Sequence, residues 1–248
     1  MKITEHIEAL DAAGRGLADA AAEAGLDAEV PTCPGWQVRD LVRHTAMVHR
    51  WATTFVAEGR TEFHPGDGET ALDGEELLTY FREGHARLVA ALRAAPETLE
   101  CWSFLPAPSP LAFWARRQAH ETTVHRADAE SALPTGPGPV DPAVAADGVD
   151  ELFVAFHARD RSRVHTPEPR TLRVRATDTG DVWTVHLSPT APPRTERGTT
   201  PPADTELTGP AARLYLTLWN RLPLDSITLA GDEDLARLWR ETSAITWN

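Results

Sequence analysis

Lysine is almost missing from this chain: Lys2 stands alone among 24 basic residues, the rest being arginine, and cysteine, methionine and tyrosine occur twice each. The two cysteines, Cys33 and Cys101, form neither a CxxC pair nor a disulfide framework, so reduced thiols are expected. No apolar run reaches the ~18 to 20 residues of a membrane span, and the opening MKITEHIEALDAAGRG lacks the apolar core of a signal peptide, which predicts a cytoplasmic protein. Clusters of basic residues are also absent, and the formal net charge is -13, which argues against the footprint that nucleic-acid binding requires. The expected partners are therefore small molecules, with no nucleic acid and no membrane, and the protein is expected to be a monomer. The near-total use of arginine for lysine, beside abundant Ala, Pro and Gly, reads as the codon bias of a high-GC genome.

Amphipathic periodicity fills the first half. Residues 3–25 place Ile3, Ile7, Leu10, Ala13, Leu17 and Ala21 at helical spacing, and the pattern returns over 38–57, 74–95 and about 111–131. Four such segments in succession predict a helical bundle over residues 1–133. The Pro- and Gly-rich SALPTGPGPVDPA reads as a boundary, and beyond it the periodicity changes. A helix is expected over 147–158 and a hairpin from TLRVRA and VWTVHLS about a turn containing Gly180. A loop is expected over TAPPRTERGTTPPAD, strands at TELTG and SITLAG, and helices over 211–221 and 233–243. The fold class is thus α+β, a four-helix bundle followed by a smaller α+β domain over 134–248.

Chemistry concentrates in RQAHETTVHRADAE, residues 117–130. Glu121 and His125, four apart, lie about 40° apart on one helix face and can converge on one point, whereas His120 projects about 140° from His125. The spacing is HExxxH, one residue longer than the HExxH of zinc proteases. A carboxylate and an imidazole suit a divalent metal that takes a further ligand from another element, for which His44 on the second helix is the best candidate. On spacing alone the alternative stands that Glu121 and His125 form a solvated pair and His44 is a hydrogen-bonded core histidine.

Three stretches, TCPGWQVRDLVRHTAMVHRW, ETTVHRADAE and TGPAARLYLTLWNRLPLDSITLAGDEDLARLW, together resemble the mycothiol-dependent maleylpyruvate isomerase family, in that family's order and over nearly the whole chain. The resemblance implies an N-terminal DinB-like metal-binding bundle. It further implies that His44, Glu121 and His125 bind a divalent metal, usually taken as zinc, and that the metal's open position receives mycothiol, the small thiol of actinobacteria. In the isomerase this means thiolate addition to the double bond of maleylpyruvate, rotation about the resulting single bond, and elimination to fumarylpyruvate. Many relatives instead resemble thiol S-transferases. The family also carries an arginine near a helix end in its C-terminal domain, matched here by Arg221, which is the candidate catalytic residue and suits a carboxylate substrate; the other reading of Arg221 is a cation favourable to the helix dipole.

Other residues read more plainly. Cys33, in the turn before the second helix, and Cys101 are expected to be packed thiols. Asp128 either hydrogen-bonds His125 or forms an ordinary helix ion pair. Trp36, Trp51 and Trp219 are expected in the core. Two rival functions remain at this level: a non-catalytic metal or small-ligand binder, marked by a fourth protein ligand, and a metal-dependent hydrolase, marked by metal activity that needs no thiol.

Overall fold

Helices α1 (Ile3–Ala24), α2 (Val38–Glu58), α3 (Gly74–Ala94) and α4 (Pro110–Ser131) follow one another through the first half of the chain. The computed structural model describes residues 1–198 and 202–245. The chain divides into two compact units, Met1–Gly138 and Pro139–Asn248.

Local chemistry accounts for where these helices begin and end. At α4, the Ser109 hydroxyl accepts the Ala112 N–H at 3.1 Å, and Pro110, which has no N–H to satisfy, takes the first helical position. At α2, the Asp40 carboxylate accepts the Gln37 N–H at 2.9 Å, and Gly59 in the left-handed region ends the helix. Packing runs α1 along α4 and α2 along α3. Leu17, Val38, Leu41, Val42, Leu77 and Phe81 form much of one apolar cluster, and burial of each large side chain contributes roughly 1.5–3 kcal/mol.

Helix α4 departs from the amphipathic pattern. It is buried on nearly every side, and the buried set includes Arg117, Gln118, His120, Thr122, His125 and Asp128. Buried polar groups persist in a core when they are hydrogen-bonded or hold something. The middle of α4 is therefore where the fold places its unusual chemistry.

In the second unit, five strands pair in the order β3-β2-β1-β4-β5: β1 (Arg170–Ala176), β2 (Val182–Leu187), β3 (Arg194–Arg197), β4 (Thr205–Gly209) and β5 (Thr228–Gly231). The expected hairpin is β1–β2, antiparallel, and β4 adds to β1 in parallel. One face of the sheet carries Leu172, Val174, Trp183, Val185 and Leu207, all fully buried. Helices α5 (Pro142–Glu151), α6 (Ala211–Leu218) and α7 (Glu233–Thr242) complete the unit.

Three elements differ from expectation. The segment 190–204, expected as a loop, contains β3, a charged edge strand flanked by prolines that pairs with β2 from Trp183↔Arg197 to His186↔Arg194; its residues 199–201 lie outside the described residues. Charge on an edge discourages pairing with other chains and hides the alternation that marks a strand. Helix α5 starts at Pro142 rather than 147, because Asp141 caps it by accepting the Ala143 and Val144 N–H groups at 2.9 and 3.2 Å, and it then widens into a π-helical turn over Leu152–Phe156. Helix α6 stops at Leu218, short of Arg221, because Asn220 adopts φ 63 and turns the chain. No helix among the described residues is long and apolar enough to cross a membrane.

Candidate metal centre

Ligating atoms of His44, Glu121 and His125 all lie within 4.8 Å of one another. His44 comes from α2, and Glu121 and His125 from successive turns of α4. The Nε2 atoms of both histidines face the same oxygen, Glu121 Oε1, at 3.6 Å from His44 and 3.2 Å from His125. The imidazole rings meet edge to face with centroids 5.2 Å apart. Two imidazoles and one carboxylate, drawn from two helices and partly or fully buried, are a donor set suited to zinc.

Each of the three is held from behind. The Nδ1 of His125 faces Asp128 Oδ2 at 2.9 Å, and the other oxygen of that fully buried carboxylate accepts the Thr32 hydroxyl at 2.6 Å. Arg117, only 2 % exposed, places Nη2 3.3 Å from Glu121 Oε2, leaving Oε1 to the histidines. The Nδ1 of His44 lies 3.6 Å from Glu69 Oε1, and the Trp36 ring packs against the His44 ring at 5.2 Å.

Electrostatics follow from that arrangement. Burial by itself would push the Glu121 carboxyl up, but the hydrogen bonds from His125 and His44 and the charges of His125 and Arg117 outweigh it and hold the group well below the usual carboxylate range. For His125, burial favours the neutral ring, yet Asp128 and Glu121 prevail and raise it to about 9. Near neutral pH these surroundings favour the imidazolium form of His125, and a metal held at its Nε2 would displace that proton.

The remaining histidines of these helices face elsewhere. His120 is fully buried beside His6, with ring centroids 6.0 Å apart, on a face of α4 that the helical projection separates from His125. His49 is fully buried and shares a 2.8 Å hydrogen bond with Thr122. Burial, with the nearby His85, lowers its pKa well below the ordinary value. Cys33 is half-buried against the apolar cluster and Cys101 is buried, where burial pushes its thiol up. Arg221 lies in the second unit, just past α6, where Nη1 donates to the Trp219 carbonyl at 2.9 Å.

Sequence reading overlooked Arg117, Thr32 and Glu69. Arg117 sits four residues before Glu121, so the helical spacing that paired Glu121 with His125 also contained it. Thr32 was hidden beside the more conspicuous Cys33, and Glu69 comes from an irregular loop with no local signal.

Comparison with known proteins follows the same division. Residues 7–130 match the mycothiol maleylpyruvate isomerase N-terminal domain, and residues 143–238 match the MDMPI C-terminal domain. Among solved structures, the chain is similar to the mycothiol-dependent maleylpyruvate isomerase and to a histidine-to-alanine mutant of it, with TM-scores of 0.63 and 0.65. Both are 14 % identical, over 93 % of this chain and 93 % of theirs. At that identity the likeness concerns the fold. No curated protein matches the chain.

Proposed function

Because the chain belongs to the mycothiol-dependent maleylpyruvate isomerase family, we propose that it is a metal-dependent enzyme that uses mycothiol as thiol cofactor or cosubstrate against an electrophilic small molecule. The observation that carries this reading is the convergence of His44 Nε2 and His125 Nε2 on Glu121 Oε1. A divalent ion, with zinc the best match to these donors, supplies Lewis acidity that favours a thiolate over a thiol near neutral pH. Among the described residues three donors converge here, one short of zinc's usual four, which fits a catalytic rather than a structural centre.

The chain's own residues have separate tasks. Asp128 fixes the orientation of the His125 ring, and Thr32 fixes Asp128. Arg117 turns Glu121 so that one oxygen faces both histidines. Arg221, the arginine singled out by the family resemblance, is assigned to an anionic group of the substrate, since a planar guanidinium matches a carboxylate in two hydrogen bonds. The thiolate adds to an electrophilic carbon of the substrate. The π bond at that carbon opens as the carbon–sulfur bond forms, and its electron pair moves onto the adjacent carbonyl as an enolate. For an isomerase, rotation about the resulting single bond precedes collapse of the enolate, which re-forms the double bond and expels the thiolate. For an S-transferase of the addition type, the enolate takes a proton from water and the carbon–sulfur bond is kept.

Calorimetry with mycothiol tests the reading. Zinc-loaded protein is expected to bind the thiol, and protein stripped by chelation is expected to show no heat of binding. Equal mycothiol binding by both forms, or metal-dependent hydrolysis that proceeds without any thiol, overturns it.

A further inference from the structure

The loop that joins α2 to α3 carries a carboxylate to the back of His44. Its path is tied to α2 on both sides of that residue. Trp51 Nε1 donates to the His64 carbonyl at 2.6 Å, and the Gly66 N–H donates to His64 Nδ1 at 3.1 Å. Further along, Arg43 Nε and Nη2 both donate to the Leu72 carbonyl at 3.0 Å. Between these ties lies Glu69, whose Oε1 is 3.6 Å from His44 Nδ1, while the opposite nitrogen of the same ring faces Glu121. His125 has the same pattern more tightly drawn, with Asp128 hydrogen-bonded behind Nδ1 at 2.9 Å and Glu121 before Nε2 at 3.2 Å, against 3.6 Å for Glu69 behind His44. The two imidazoles therefore have matching surroundings, one supplied by the helix itself and the other by a loop.

We propose that Glu69 is a positioning residue of the centre, fixing the ring of His44 so that Nε2 rather than Nδ1 is offered as the ligand. The inference rests on the metal reading given above. The Glu69 side chain is 46 % exposed and the Asp128 carboxylate is fully buried, so Glu69 acts in a more polar setting, and its effect is the smaller of the two. The chemistry is that of a carboxylate facing Nδ1: it favours the tautomer with the proton on Nδ1, which leaves the Nε2 lone pair for the ion. Exchange of the loop carboxylate thus changes the affinity of the centre without removing any ligand.

Zinc affinity, measured by competition with a chromophoric chelator, tests this apart from any activity. Glu69→Ala is expected to weaken zinc binding by about 10-fold. Glu69→Gln, whose amide oxygen can still face Nδ1–H as an acceptor, is expected to recover part of the loss. Asp67→Ala, which removes the same charge from the same loop, is expected to stay within about twofold of wild type. A Glu69→Ala protein as tight as wild type, or an Asp67→Ala protein as weak as Glu69→Ala, overturns the role of Glu69 and leaves the metal reading standing. A wild-type protein that takes up no zinc in the same titration overturns both.

Discussion

His125 Nδ1 lies 2.9 Å from Asp128 Oδ2, one turn further along α4. The pair couples two properties that oppose each other in most cores. Asp128 is fully buried and charged, which is costly unless each oxygen has a donor. Those donors are His125 on one side and the Thr32 hydroxyl on the other. A relay from Thr32 through Asp128 to His125 orients the ring before any ion arrives. Removing its links in turn is expected to grade the affinity for zinc. Thr32→Val takes away one donor and keeps the shape, so a loss of a few-fold is expected; Asp128→Ala removes the acceptor itself, for a loss of about 10- to 100-fold. Chelator competition measures both, and equal affinities across the series would show that the relay does not act on the ion.

The ligand assignment separates histidines that composition cannot tell apart. His44→Ala and His125→Ala are each expected to reduce zinc from about one equivalent to a small fraction, since two remaining donors bind a divalent ion poorly. His120→Ala is expected to keep full stoichiometry, because its ring lies beside His6 on another face of α4. Elemental analysis gives the metal content, and far-ultraviolet circular dichroism shows whether the helices survive. Stoichiometric zinc in His125→Ala, or its loss in His120→Ala alone, refutes the assignment.

How far these arrangements were legible in the chain differs by element. The bundle was readable because α1, α2 and α3 each bury one stripe, so Leu10, Leu41 and Phe81 recur at the spacing of a helix with one wet side. Helix α4, expected over about 111–131 as a fourth amphipathic segment, is in place but buried almost all round, so its stripe is much weaker than the sequence pattern suggests, and Glu121 and His125 stand out on it by chemical rather than apolar spacing. Arg117 was within reach of the same arithmetic. Thr32 and Glu69 were not, since they meet Asp128 and His44 only through tertiary structure. In the second unit, the hairpin β1–β2 was visible from alternation. Strand β3 was masked by its own charges, and the start of α5 by a proline that signals a first helical turn as readily as a linker.

Histidine 157 gives the second unit a definite response to acid. It is 2 % exposed, its ring meets Trp239 at 4.8 Å, and burial lowers its pKa to about 4. The unfolded chain binds a proton at this residue below about 6.5. The stabilisation is therefore complete above pH ~6.5, declines as pH falls toward 4, and is lost once the folded form is protonated too. At pH 5 the loss amounts to roughly 2 kcal/mol, and it saturates near 3 kcal/mol. Denaturant titrations followed by tryptophan fluorescence at pH 7 and pH 5 should show that decline, and His157→Gln should flatten it. Parallel pH dependence in the two proteins would place the acid sensitivity elsewhere.

Two glycines of the sheet make a paired test of backbone strain. Gly231, at the end of β5, has φ 95, and a Cβ built there would lie 2.2 Å from the Asp204 carbonyl oxygen. Gly180, in the β1–β2 turn, has φ 76, with nothing within 4 Å of the same position. Both adopt the region that favours glycine, but only one is also crowded by backbone, which cannot give way as a flexible side chain can. Gly231→Ala is expected to destabilise the protein by about 2 kcal/mol or more. Gly180→Asn, an exchange that left-handed turns tolerate, should cost about 1 kcal/mol or less. Similar losses from both would mean that φ alone, and not the Asp204 contact, sets the cost.

Arg221 separates binding of the ion from handling of the substrate. It follows the turn at Asn220, and its guanidinium donates to the Trp219 carbonyl. None of the three proposed metal ligands belongs to this segment, so Arg221→Ala should leave zinc stoichiometry at wild-type level. If its task is to hold an anionic group of the substrate, kcat/KM should fall by about 10²-fold, equivalent to roughly 3 kcal/mol of lost transition-state stabilisation. Arg221→Lys keeps the charge but cannot present two parallel N–H groups to a carboxylate, so it should recover only part of that loss. The split between KM and kcat then locates the contact: a rise in KM alone means that it is already made in the ground state, whereas equal falls in kcat and kcat/KM mean that it forms only as the thiolate attacks. Activity that survives Arg221→Ala unchanged removes the residue from the reaction and leaves it a structural part of the turn after α6, where it donates to the Trp219 carbonyl.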